Sequence, residues 1–74
     1  MENVNWRKKA SVLIKTELKK KDVSYIELSE RLAAIGVTDN ANNVNGKINR
    51  GAFGFDFFLQ CMHVIGTDTV RLEN

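Results

Sequence analysis

The chain has 74 residues, 43% of them hydrophobic, and its 11 lysines and arginines against 9 aspartates and glutamates give a formal net charge of +2. That length fits one small domain, residues 1–74, and the charge is too mild to demand a nucleic-acid partner. A single cysteine, Cys61, excludes an internal disulfide and a structural zinc site, and no apolar run reaches the about 18 residues that a membrane span needs.

Seven of the eleven cations fall between Arg7 and Lys21, beside one acid, Glu17. Within that stretch Trp6, Ala10, Leu13, Ile14 and Leu18 share one flank at helical spacing, which predicts a helix from Val4 to Lys20 with those side chains in the core. Lys8, Val12, Lys15 and Lys19 follow the opposite flank at i, i+4, i+7 and i+11. Such a stripe is either a solvated face or a surface laid along a phosphate backbone.

The second helix has the strongest local signal. Ser24 and Glu27 stand at the two positions of a capping box, and Val23 and Leu28 at those of a hydrophobic staple. Leu28, Leu32 and Ile35 form its apolar side, and Gly36 ends it. Thr38 is then expected to cap a third helix running from Asp39 to Asn49 or Arg50, with Asp39 against the positive end of the helix dipole.

That third segment, NANNVNGKINRG, reads as loop by composition, because Asn and Gly disfavour helix interiors. Yet Ala41, Val44 and Ile48 recur as on a helix with one buried side. On a helical wheel Asn42, Asn43, Gly46, Asn49 and Arg50 then point away from the core, with Lys47 at the edge of that surface. Asn can pair with an adenine edge through both atoms of its amide, Arg can do so with guanine, and Lys can reach phosphate. A glycine at position 46 lets a backbone approach closely. Double-stranded DNA is therefore the expected partner, against the alternative of a merely solvated amide-rich surface.

After a turn at Gly51–Gly54 a fourth helix is expected over Phe55–Ile65. Phe55, Phe58, Leu59, Met62 and Ile65 are assigned to its main buried side. Phe57, Gln60 and Val64 form a second stripe, to be covered within the chain or used as a dimer or partner seam. Thr69–Glu73 alternates and predicts a short terminal strand, whose Val70 and Leu72 could pair across a two-fold axis. A dimer would set two third helices about 34 Å apart, on successive major-groove faces.

The segments ELKKKDVSYIELSERL and GKINRGAFGFDFFLQCMHVIG resemble a family of small bacterial proteins of unknown function. Its members share an L-K-x-E-L … Y-x-E-L-x-x-R-L … K-I-x-R-G-x-F … F-F-L-Q-C pattern. The resemblance covers Trp6 to Glu73 and implies a fold but no activity. More distantly, the order of elements resembles the Cro and phage-repressor class of DNA-binding domains. Leu28-Ser29 stands at that class's L-A place, and Arg50-Gly51 closes the third helix. The chain departs from the class in two ways: Gly36 comes about one helical turn late, implying a longer second helix, and Asn49 replaces the usual acid before R-G.

The expected fold is therefore an all-α, four-helix, helix-turn-helix-like domain with a possible short C-terminal strand. Asn42, Asn43, Lys47, Asn49 and Arg50 would read DNA, while Lys8, Lys15, Lys19 and Tyr25 would hold phosphates. Catalysis is not expected: Cys61 and His63, two apart on a helix, face different sides. No metal, cofactor or small-molecule motif is present. The stretch MENVNWRKK lacks the apolar core of a secretory signal, so the expected location is the cytoplasm. A protein–protein adaptor working through the apolar stripe of the fourth helix is the alternative function.

Overall fold

The computed structural model describes residues 4–72 and is all-α. Its four helices are α1 (Trp6–Lys21), α2 (Tyr25–Ala34), α3 (Ala41–Arg50) and α4 (Phe55–Ile65). Side chains punctuate the starts of the first three. The side-chain oxygens of Asn5, Ser24 and Asn40 accept from the backbone N–H groups of Lys8, Glu27 and Asn43 at 3.0, 3.1 and 2.8 Å, satisfying donors that a helix end leaves free. At the start of α4, Asp56 Oδ1 accepts from the N–H of Phe57 at 2.9 Å.

Among the described residues α1 and α2 do not pack directly on each other, nor do α3 and α4; each of the first pair bridges both of the second. The core follows from that crossing. Each of the first three helices contributes one i, i+4 pair: Ile14 and Leu18, Leu28 and Leu32, Val44 and Ile48. From α4 come Phe57, Cys61, Met62 and Ile65, and Val23 closes the α1–α2 corner. The Arg31 guanidinium adds a polar tie, donating to the Val64 carbonyl at 3.0 Å while it pairs with Glu27.

Several expectations are corrected. Trp6 is 68% exposed rather than buried: the buried residues of α1 begin at Ser11 and continue with Ile14, Glu17 and Leu18, so its first turn lies outside the core. Ile35 is also exposed: α2 stops at Ala34, and residues 35–40 form the connection. The extra turn expected in the second helix thus lies in that connection, which exceeds the about three-to-four-residue turn of helix-turn-helix motifs. Asn40, not Thr38, caps α3; Asn is at least as good a cap as Thr. Only half of the capping box forms, since the Glu27 carboxylate turns to Arg31 one helical turn on.

The fourth helix keeps part of the expected face, burying Met62 and Ile65 with Phe58 packed beside them, but it is rotated toward the second stripe. Phe57, Cys61 and Ile65 point into the core, whereas Phe55 and Leu59 are 73% and 51% exposed. Both stripes are apolar, so the helical wheel could not rank them; the crossing of α4 over α1 and α2 does. Phe57 therefore belongs to the chain's own interior and not to a partner seam. No strand forms among the described residues, and Glu73 lies outside them. The terminal segment has no strand to pair with. It is held on α1 instead, with Thr67 Oγ1 donating to the buried Glu17 Oε1 at 2.8 Å and Val70 packed on the core.

The α1–α3 seam is unusually close at one glycine. A Cβ on Gly51, which has φ +64°, would sit 1.9 Å from the Arg7 carbonyl oxygen, a backbone atom that cannot swing away. Gly66 has a similar φ of +88° but open space around it. Gly66→Ala should cost only the left-handed strain, about 1–2 kcal/mol. Gly51→Ala adds a backbone collision, so its urea midpoint should fall well below that of Gly66→Ala; equal midpoints would refute the close seam.

Candidate nucleic-acid interface

The close seam brings the N-terminal half of α1 beside the end of α3 and opens a groove between them. Asn5, Arg7, Lys8, Ser11, Val12 and Lys15 line one side; Asn49 and Arg50 line the other. Four of these eight residues are cationic and none is acidic. Ser11 lies buried beneath, small enough to let the helices approach. Lys8, Lys15, Asn49 and Arg50, expected from sequence to share a function, are thus brought together.

Arg7, outside the residues expected from sequence to bind DNA, also belongs to this groove. Its signal was available: Arg7, Ser11 and Lys15 form an i, i+4, i+8 row beside the Lys8–Lys15 stripe. Lys19 is exposed further along α1, away from the groove's lining residues. Among the described residues no acid pairs with Arg7, Lys8, Lys15 or Arg50; the acids with ion-pair partners are Glu17, Glu27 and Asp39.

The outward side of α3 is as the wheel predicted. Val44 and Ile48 are fully buried and Ala41 half-buried, while Asn42, Asn43, Asn49 and Arg50 are exposed. Their side chains are partly organised already. Asn43 Nδ2 donates to Asp39 Oδ1 at 2.9 Å, and Asn49 Nδ2 donates to the Asn45 carbonyl at 2.8 Å. The Arg50 guanidinium lies across Gly46, where an ideal Cβ would stand 3.0 Å from one of its nitrogens. Tyr25 is half-buried at the start of α2. Burial pushes its phenol up, with the nearby Asn49 side chain opposing the shift, so the hydroxyl stays protonated and able to donate.

Lys47 is half-buried at the edge of that surface, and it is engaged there. Its ammonium pairs with Asp39 Oδ2 at 2.8 Å and lies 5.2 Å from the centroid of the Phe57 ring. It staples the start of α3 to the body of the fold instead of standing free. Of the expected partner residues, Gln60 and Val64 are half-buried on α4 and Val70 is half-buried against the core, while Leu72 is 64% exposed.

Cys61 is fully buried, and that burial pushes its thiol up to about 12, with Lys47 opposing weakly. A thiol held protonated is a poor nucleophile. Neither a metal-binding cluster nor a helix long and apolar enough to cross a membrane occurs among the described residues.

Residues 6–70 match the family model described as a domain of unknown function, DUF6471. The chain belongs to this family. The DUF6471 match spans all four helices and both sides of the cationic groove, in keeping with the sequence's resemblance to a small family without an assigned activity. No curated protein and no solved structure matches the chain at a significant level.

Two measurements check this arrangement. Lys47 and then Asn43 hold the Asp39 carboxyl below its ordinary value of 3.8. A depressed carboxylate stabilises the fold above its unfolded-state value and loses that contribution as pH falls through the folded-state value. Urea midpoints of wild type and Asp39→Asn should therefore differ at neutral pH and converge in acid; a gap that widens on acidification contradicts the Asp39–Lys47 tie. Separately, the Cys61 thiol should react with a disulfide reagent only as fast as the chain opens, and Leu32→Ala should accelerate that reaction.

Proposed function

We propose that this chain binds duplex DNA sequence-specifically and acts in transcriptional regulation, with α3 lying in the major groove. The observation that carries the reading is the convergence of Arg7, Lys8, Lys15 and Arg50 in one groove with no acid among its described lining residues. It stands beside a helix whose outward surface is almost wholly amide. Bringing four like charges together costs folding free energy unless an anion neutralises them. A phosphate backbone is an anion of that shape.

In this reading α1 grips the backbone, and Asn42, Asn43 and Asn49 meet base edges through bidentate amide contacts. Arg50, resting over Gly46 in the free protein, swings outward to guanine or phosphate. The Tyr25 hydroxyl donates to a phosphate oxygen from the start of α2. Lys47 takes a lesser part than expected from sequence because Asp39 already holds it. The pair is close to neutral, so it adds little repulsion or attraction at that end of α3.

The test is a mobility-shift titration on duplex DNA at several salt concentrations. About four phosphate contacts predict a log–log slope near −3.6, or roughly a hundredfold loss of affinity between about 50 and 200 mM salt. Arg50→Ala should cost roughly tenfold or more. Gly46→Ala separates recognition from folding. It removes a helix-interior glycine and displaces only the flexible end of Arg50. It should thus raise stability by up to about 1 kcal/mol while weakening DNA binding. Absence of salt-sensitive binding by the wild type ends the proposal.

A further inference from the structure

Trp6, Phe55 and Leu72 are 68%, 73% and 64% exposed, and they are not scattered. Trp6 and Leu72 flank an apolar depression that includes Ala10 and Leu13. The same Ala10, Leu13 and Leu72 join Phe53, Phe55 and Phe58 in a second. The two merge into a single groove between the first turns of α1 and the start of α4, with Leu13 and Leu72 at its middle. The Phe55 ring is held in place rather than loose, stacked on Phe58 with centroids 6.0 Å apart and planes 16° from parallel.

The ends of the groove carry opposite charge. At the Trp6 end the Lys9 ammonium lies 5.6 Å from the ring centroid. At the Phe55 end stands Asp56, an exposed neighbour of the lining residues whose Oδ1 accepts from the Phe57 N–H at 2.9 Å. We propose that this groove is the seam of a homodimer, in which a second copy packs across a two-fold axis with its Phe55 end on the first copy's Trp6 end.

An isologous interface must be complementary to itself under a half-turn. A patch with a positive end, an apolar middle and a negative end meets that condition. The half-turn lays Leu72 on its own counterpart and sets Lys9 opposite the other copy's Asp56, twice over. A surface shaped for an unrelated partner has no need of this antisymmetry. The seam differs from the one expected from sequence, sharing only Leu72 with it. It lies on the flank of α1 that carries Trp6, Ala10 and Leu13, whereas Arg7, Ser11 and Lys15 line the cationic groove, so it stands independently of the DNA-binding proposal.

Sedimentation equilibrium of the free protein tests it. The wild-type mass should rise with concentration from 8.4 kDa toward twice that value. Phe55→Asp should stay monomeric at every concentration and remain folded, losing only the stack on Phe58, because the replaced ring is mostly exposed. Lys9→Glu should weaken the dimer roughly tenfold, with two unlike-charge contacts turned to repulsions. Ile26→Asp, at a 65% exposed position on α2 outside the groove, should leave the equilibrium unchanged. A wild type that remains at 8.4 kDa to millimolar concentration overturns the proposal. So does a dimer that survives Phe55→Asp, one indifferent to Lys9→Glu, or one lost in Ile26→Asp.

Discussion

Val44 and Ile48 bear most of the weight in this structure, because they are the two fully buried side chains of a helix that composition alone would dissolve. Relative to alanine, the four asparagines and one glycine of α3 cost roughly 3–4 kcal/mol of helix propensity. Burying one valine and one isoleucine returns roughly 3–6 kcal/mol. The margin is small, and the Asn40 cap and the Asp39–Lys47 pair add to it. Without that anchor there is no helix, no ordered row of outward amides, and no second wall for the cationic groove.

The groove depends in turn on how α1 meets the end of α3. The two backbones approach closely enough at Gly51 and Arg7 that no side chain fits between them. That contact converts a cationic stripe on one helix into a site shared by two. Charges far apart along a surface are screened within about 10 Å in ordinary salt; charges drawn around one groove act on the same ligand. Asp39 takes up Lys47, the other cation in the last turn of α3, so among the described residues the positive charge without an ion pair on that helix is Arg50, where α1 and α3 meet.

The surface of α1 is divided by the same geometry. Ile14 and Leu18 enter the core, Arg7, Ser11 and Lys15 turn toward α3, and Trp6, Ala10 and Leu13 turn toward the start of α4. A helix with three occupied directions is placed firmly, which suits an element asked to hold the neighbouring α3 in register. The C-terminal segment is fastened to it through Thr67 and Glu17, and that tether is what brings Leu72 beside Trp6.

Local information was enough for the helices themselves. Ser24 marked the start of α2, Gly51 and Gly66 marked the ends of α3 and α4, and the Ala41–Val44–Ile48 spacing picked out the buried side of α3. Each is a contact within a turn or two of chain, and each is encoded by the residues that make it. The outward amides followed, because naming the buried side of a helix names the other side as well. What the chain could not disclose locally was any choice between two acceptable surfaces. Phe57 and Phe55 sit on equally apolar flanks of α4, and only the crossing of α4 over α1 and α2 sent the first inward and left the second exposed. The spacing of Trp6 is that of a core residue, but burial needs enough neighbours at that height, and Lys9 and Leu72 beside it leave the ring mostly exposed. Arg7 joined Arg50, and Lys47 turned to Asp39, through approaches between separate helices. Short-range capping and periodicity are written in sequence order; which faces meet, and which charges share a ligand, is set by packing, where energies from distant parts of the chain compete.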